Sequence, residues 1–376
     1  MRRLPALAGA AFPVLGAALG LEVLATRVVR VRHGSPYRHE ILAVGRDAVL
    51  LRRDRATDLP GSYGLAWPGG HGVLGPVLRA DERTVLRRLE RVQEGAPLPG
   101  PCALDHVEVG DPASALGLSY QAVEIPSEVG ALPAWWVPGE RRDAWVLFAH
   151  GLGGSLQSSL SFLPLVSRRG YNGLVVSYRN DPGAPPSADR RIHLGADEWR
   201  DVDAGIAFAL AHGAEQVVLY GWSMGGGIAL LTLARSPRRA AVRGLILDAP
   251  VVDWARVVRH VARRVPAPVV ALVLWRVGRL IGVPVSTLDH LADADALGVP
   301  VLCFHGGRDE VVPVAHSRLL AERAPHAVDL VVDEGAGHVG SFNADPEAYE
   351  ARVAAFLAQT LPAPGDPRTS PAEGIE

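Results

Sequence analysis

The sequence predicts an α/β fold with a mostly parallel central sheet, and three observations carry that expectation. From about Leu118 to Leu361 short apolar runs alternate with helical stretches, the pattern of strands covered on both faces and joined by crossover helices. The run Gln216 to Tyr220 then drives into Gly221-Trp222-Ser223-Met224-Gly225, and an Ala/Leu/Ile-rich stretch to Arg235 follows, which reads as strand, sharp turn, helix. Glycine-rich segments also stand after several of the predicted strands, where sheets of this kind bind ligands.

Taken in order, Met1-Arg2-Arg3 precedes an uncharged, mostly apolar stretch from Leu4 to Leu21, closed by Glu22. Residues 1–26 admit three readings: a membrane anchor, a cleaved signal with Val23-x-Ala25 before the cut, or an apolar helix packed in the fold. Arg27, Arg30 and Arg32 outnumber the two arginines upstream, so a spanning segment would leave the remainder in the cytoplasm. Soluble cytoplasmic and exported chains are the alternatives.

Residues 27–117 read as a small β-rich appendage. Glu40 to Val44 and Ala48 to Arg52 are strand-like, and a helix is expected between Glu82 and Gln93. Gly70-His71-Gly72-Val73-Leu74-Gly75 matches G-x-G-x-x-G, but Pro76 follows where a dinucleotide site needs a helix. It reads either as a glycine-rich loop or as a flap carrying Trp67 and His71 over the active site.

The third segment, 118–361, opens with an antiparallel pair, Tyr120 to Ile125 and Ala131 to Val137. Strands follow at Ala144 to Ala149, Gly173 to Tyr178, Gln216 to Tyr220, Gly244 to Leu247, Val299 to Phe304 and Asp329 to Val332. Helices are expected at Glu198 to His212 and Pro346 to Gln359. Residues 362–376 are Pro-rich and polar and read as a disordered tail.

Composition excludes several chemistries. A net charge of -2 offers no case for nucleic acid. All 38 basic residues are arginine, which removes lysine Schiff-base catalysis. Cys102 and Cys303 are too few and too isolated for a disulfide framework or a zinc site, and no His-Glu-x-x-His occurs, so neither metal nor cofactor is expected.

Four segments at predicted strand ends agree with one another. In the turn around Ser223, flanking glycines permit a bend that side chains would block, and the next helix N-terminus points at the hydroxyl. With 41 glycines in the chain this pentapeptide alone is weak; its strand-to-helix context strengthens it. His150-Gly151-Leu152-Gly153-Gly154-Ser155 lets the backbone approach a substrate, so the N–H groups of Leu152 and Met224 are expected as oxyanion donors. His338, in the small-residue run Glu334 to His338, is the candidate base. Asp309, in His305-Gly306-Gly307-Arg308-Asp309, is the candidate acid that fixes its tautomer. Asp248 and Asp253 are rivals for that acid, and Asp248 also reads as a strand-end turn residue. His150 and His305 are expected to be structural, while His193 and Asp197 border the pocket without an assigned role.

On these motifs residues 118–361 resemble the α/β-hydrolase superfamily, in its monoacylglycerol-lipase-like and serine-aminopeptidase-like group. H-G-x-G-G, G-x-S-x-G, H-G-x-x-D and G-x-x-H stand as His150–Gly154, Gly221–Gly225, His305–Asp309 and Gly335–His338, in Ser-Asp-His order. The resemblance implies a serine hydrolase with a small helical cap between Asp248 and Val299. The cap carries Trp254, Val257, Val258 and Val261 at helical spacing, with Arg256, Arg259, Arg263 and Arg264 opposite and an apolar run from Val269 to Ile281 beyond. That insert is a helical pair packed on the sheet, an apolar wall for an acyl chain, or a basic face for an anionic membrane. The expected partner is a small ester or lipid-like molecule cleaved through an acyl-enzyme. A peptidase or acyltransferase using the same triad is the alternative, and a catalytically silent, membrane-tethered interaction protein is the alternative of another class.

Overall fold

Strand-forming residues sort into two separate sheets in the computed structural model, which describes residues 11–33 and 37–363, with side chains from Leu19 onward. Helix α1 (Ala11–Val28) comes first, and β1 (His39–Val44), β2 (Ala48–Arg52), β3 (Tyr63–Trp67), β4 (Gly70–Ala80), β5 (Thr84–Glu94) and β6 (Gly100–Asp105) follow. These six strands close into a barrel in the order β1-β2-β5-β4-β3-β6 around Ile41, Val49, Leu51, Leu65, Trp67 and Leu74. Closure leaves no free sheet edge.

Two expectations for this region are corrected. The stretch expected as a helix between Glu82 and Gln93 is a turn followed by strand β5, which pairs with β2 on one side and β4 on the other. The helix-favouring Arg, Leu and Glu residues of that stretch are overruled by a ladder on both edges. Trp67 and His71 form no flap, because Trp67 is buried in the barrel core and His71 is buried against Gln93. Gly70 is glycine to admit Trp67, whose Nε1 lies 2.1 Å from where a Cβ would stand.

The second sheet is built from α2 (Pro112–Leu116), β7 (Gln121–Ser127), β8 (Gly130–Val137), β9 (Arg141–Ala149), α3 (Leu163–Arg168), β10 (Tyr171–Val176), α4 (Glu198–Ala211), β11 (Gln216–Trp222), α5 (Met224–Arg235) and β12 (Val242–Asp248). It continues through α6 (Trp254–Val261), α7 (Ala267–Ile281), β13 (Val301–Gly306), α8 (Ala315–Arg323), β14 (Val328–Asp333), α9 (Ser341–Ala344) and α10 (Pro346–Thr360). Its eight strands run β14-β13-β12-β11-β9-β10-β8-β7, parallel from β14 to β10 with β8 and β7 antiparallel at the end. Central strands are buried on both faces. Leu147 and Leu219 point into a core shared with α4 and α5, and Phe148 and Tyr220 into one shared with α3 and α10.

Between β12 and β13 stand α6 and α7. Trp254 and Val257 are buried as the spacing predicted, whereas Val258 is half-buried and Val261 is exposed at the tip. Helix α1 packs along α7, where Glu22 accepts two hydrogen bonds from Arg276 at 2.6 and 3.0 Å. Ala25 and Val29 are fully buried, and the Ile192 amide donates to the Val29 carbonyl. The end of the N-terminal segment is therefore part of the fold, and a cut after Ala25 would strip a packed helix from it. Of the stretch Leu4 to Leu21, residues before Ala11 lie outside the described residues; among the described residues no helix is long and apolar enough to cross a membrane. Of the tail, residues 364–376 lie outside the described residues, while the Pro362 carbonyl still accepts from Arg141.

Candidate active site

Strand β11 ends and α5 begins at Ser223, which holds φ 55° and ψ −122°. A non-glycine residue there is strained by about 1–3 kcal/mol, and the surroundings must enforce it. They do so by close approach. A Cβ at Gly221 would lie 2.4 Å from the Gly225 carbonyl oxygen, and one at Gly225 would lie 2.0 Å from that of Ala149. The Ser223 amide donates to Asp248 O and the Ser223 carbonyl accepts from Val251, so both sides of the turn are pinned to the end of β12.

The loop after β9 lies against this turn: a Cβ at Gly151 would stand 3.0 Å from Ser223 Cβ. Leu152 is next along, 37% exposed at the mouth of the site, and Met224 opens α5, where the first amides have no intrahelical acceptor. His150 does not face the serine. Its buried ring contacts Gly151 O at 2.9 Å and Asp181 Oδ2 at 2.7 Å, and the Tyr178 hydroxyl donates to its carbonyl. Burial opposes charge on this ring, but the Asp181 carboxylate outweighs it and lifts the pKa above the ordinary histidine value. Tyr178 and Asp181 thus brace the loop from the end of β10, a role that no motif in their sequence announces.

After β13 and β14 the other two candidates arrive. His338 Nε2 lies 2.9 Å from Ser223 Oγ, and His338 Nδ1 lies 2.7 Å from Asp309 Oδ2. The remaining oxygen, Asp309 Oδ1, accepts from the Val311 and Val312 amides at 2.8 and 2.9 Å, and His305 Nε2 stands 3.3 Å from Oδ2, the oxygen that faces His338. Burial raises the Asp309 pKa, but the facing His338 and His305 rings outweigh that and hold the carboxyl well below the usual range. It is therefore ionised wherever an imidazole base can work.

The rivals fall elsewhere. Asp248 is wholly buried, with neither carboxyl oxygen hydrogen-bonded, and burial pushes its pKa up to about 7. Asp253 caps α6 through the Ala255 and Arg256 amides. His193 is held between Asp197 and Asp189, away from the serine–histidine–aspartate line. His305 is buried with Ser317 and the Val312 carbonyl as its partners. A groove of about 560 Å³ opens beside Asp309, where Arg308 and Glu310 face His260 and Arg263 of the cap and Arg55 of the barrel. No motif points to Val31, Arg32 and His33, which line a crevice of about 10 Å³ together with Gly151 and Met224. Among the described residues no cluster of ligating side chains could hold a metal ion.

Comparison with known proteins follows the same division. Residues 144–270 match a family model described as the alpha/beta hydrolase fold, and residues 40–104 match a domain family of unknown function. The chain is 28% identical over 249 residues to a monoacylglycerol lipase of Mycolicibacterium smegmatis, covering 54% of this chain and 84% of that protein. It is 26% identical over 289 residues to the alpha/beta hydrolase domain-containing protein 17C of Bos taurus, covering 73% of this chain and 77% of that one. Among solved structures it is similar to an esterase of Pyrococcus furiosus, with TM-score 0.55 and 23% identity over 67% of this chain and 95% of the other.

Proposed function

Since this chain belongs to the α/β hydrolase superfamily, we propose that it is a serine hydrolase that cleaves carboxylic esters, acyl or lipid-like, through an acyl-enzyme. The observation that carries the reading is the unbroken line from Ser223 Oγ to His338 Nε2 at 2.9 Å and from His338 Nδ1 to Asp309 at 2.7 Å. In this mechanism His338 takes the serine proton as Oγ attacks the ester carbonyl. The Leu152 and Met224 amides receive the oxyanion, and His338 returns the proton to the departing alcohol. Water activated by the same imidazole then releases the acid. Asp309, ionised throughout, fixes the ring and offsets the imidazolium charge.

An ester is favoured over an N-terminal amine substrate because residues 254–288, which form α6, α7 and the turn after them, contain no Asp or Glu to hold an ammonium group. A fluorophosphonate probe and a panel of p-nitrophenyl esters of increasing chain length test the reading. Labelling and hydrolysis should appear in wild type and vanish in Ser223→Ala. A folded wild-type protein that neither labels nor hydrolyses would leave the non-catalytic interaction protein as the better account. Ester loss accelerated by an added alcohol, with a new ester as product, would point to acyl transfer instead of hydrolysis.

The cap favours a membrane-surface partner over a freely soluble one. The same 254–288 segment carries six arginines. It also exposes Val261, Val265, Val269, Leu272 and Trp275, with Trp275 60% exposed. Two of these arginines are paired, Arg276 with Glu22 and Arg256 with Asp253; exposed apolar side chains with the remaining arginines on the same segment suit an anionic lipid surface. This contact would come through the cap and α1, and no spanning helix is required for it. Flotation with vesicles of neutral lipid and of 30% anionic lipid separates the cases: binding confined to the anionic vesicles and lost in Trp275→Ser is expected, and equal recovery with both vesicles would refute it.

A further inference from the structure

One of the places where the barrel meets the hydrolase sheet is the loop that carries His338. Leu59 and Pro60, between β2 and β3, lie against Gly335 and Gly337. A Cβ at Gly337 would stand 2.5 Å from Leu59 Cδ1, and one at Gly335 would stand 3.5 Å from Pro60 Cγ. On the other flank of His338, a Cβ at Gly61 would fall 1.8 Å from the Asn343 carbonyl oxygen. The Ser62 amide donates to that carbonyl at 3.2 Å, and Asn343 Nδ2 donates back to the Ser62 carbonyl at 2.5 Å. The buried Tyr63 hydroxyl comes within 3.3 Å of where a Cβ on Gly340 would be. Five consecutive residues, Leu59 to Tyr63, therefore bracket the segment from Gly335 to Asn343, which contains His338.

That barrel loop is itself rigid, and its brace is Arg87 on β5. The Arg87 side chain is completely buried and has no carboxylate hydrogen-bonded to it; every polar contact it makes is to a main-chain carbonyl. Nη1 donates to Thr57 O and Leu59 O at 3.1 and 2.9 Å, and Nη2 to Gly61 O and Gly75 O at 2.5 and 2.8 Å. Nε donates to Gly75 O at 3.0 Å, and the guanidinium lies 5.4 Å from the Tyr63 ring centroid. The planar fork of arginine can tie three carbonyls of one loop to the barrel wall at once, which a lysine ammonium cannot do. At the start of the loop, Asp54 Oδ1 accepts from the Ala56 and Thr57 amides. The small residues before His338 thus have a second reason to be small: they form the seat into which Leu59 fits.

We infer that the barrel serves as a clamp on the base of the hydrolase, with Leu59 the positioning residue that holds the His338 loop in register and Arg87 the residue that holds Leu59. The inference rests on His338 acting as the base. It assigns a role to the segment that matches a family of unknown function. The barrel supplies no reacting group to the Ser223–His338–Asp309 line. It fixes one, and a misplacement of about 1 Å at such a group can cost about a hundredfold in rate.

A size swap tests the clamp. Leu59→Ala should lower kcat on a short p-nitrophenyl ester by between about tenfold and about a hundredfold, with KM little changed. Gly337→Ala, which forces the same contact from the other side, should do likewise. The double variant, with methyl against methyl, should recover most of the loss. In a His338→Ala background Leu59→Ala should have no further effect on the residual rate, because the group it positions is gone. Amide hydrogen exchange over residues 335–343 should quicken in Leu59→Ala and in Arg87→Met, a readout that requires no turnover. Wild-type kcat in both single variants, or an equal loss in the presence and absence of His338, would overturn the clamp while leaving the hydrolase reading intact. An inactive wild type whose 335–343 exchange still responds to Leu59→Ala would instead fault the hydrolase reading.

Discussion

Asp248 lends itself to a quantitative test because it lies directly behind Ser223 and its carboxyl bonds to nothing there. Its carbonyl receives the Ser223 amide, while its carboxyl is sealed in the protein with no hydrogen-bond partner. The Tyr349 hydroxyl, which accepts from Tyr220, is near enough to moderate this without closing a bond. Burial foremost, and the Asp309 charge with it, push the Asp248 pKa from 3.8 to about 7, against the opposing influence of His305 and Tyr349. Between those values the folded chain keeps a proton that the unfolded chain has released, so the unfolded state binds fewer protons and stability falls as pH rises. About three pH units at 1.36 kcal/mol each give about 4 kcal/mol, lost between about pH 4 and pH 7 and constant above. Asp248→Asn presents a neutral group of the same shape and removes this dependence. Urea unfolding of both proteins at intervals from about pH 5 to pH 8 should show the variant gaining on wild type up to about pH 7 and holding a constant lead of up to about 4 kcal/mol above it. Every other titrating group cancels in the difference. A gap that stays constant with pH, or a variant weaker than wild type at pH 8, would refute the reasoning. Hydrolysis should be unaffected, since the carboxyl does not touch His338.

The remaining outcomes concern the site itself. Asp309→Asn should cost about 10⁴ in kcat, as loss of the orienting acid does in such triads, measured by steady-state ester hydrolysis. Ser223→Gly should abolish turnover and yet raise the unfolding free energy by about 1–3 kcal/mol, because glycine relieves the strained backbone. Gly225→Ala should fail differently: its Cβ would enter the Ala149 carbonyl, so thermal unfolding should show a clear loss of stability together with loss of fluorophosphonate labelling. The depressed Asp309 carboxyl contributes stability that is present above the unfolded value of 3.8 and is lost as pH falls through its lower folded value. Asp309→Asn should therefore blunt the acid limb of the stability profile, read by circular dichroism below about pH 5.

The amino-acid sequence determined the hydrolase sheet almost strand by strand, because a strand buried on both faces must be apolar along its whole length and announces itself without reference to neighbours. It also marked Ser223, Asp309 and His338, each of which sits in a short local pattern that a strand end demands. Helix-favouring residues in β5 misled, since what makes that segment a strand is a ladder on both edges, from β4 across a short hairpin turn and from β2 earlier in the chain. The loop pattern favoured Asp309 over Asp248, and the structure puts the Asp309 carboxyl 2.7 Å from His338 while the Asp248 carboxyl, at the end of β12, has no hydrogen-bond partner. No local pattern shows that Leu59 belongs beside Gly337 or that Arg87 spends its fork on main-chain carbonyls. Leu59 and Gly337 are remote in the chain, and the carbonyls that Arg87 holds stand 12 to 30 positions from it, so both sets of contacts exist only once the barrel has closed and its loop has packed against the segment around His338.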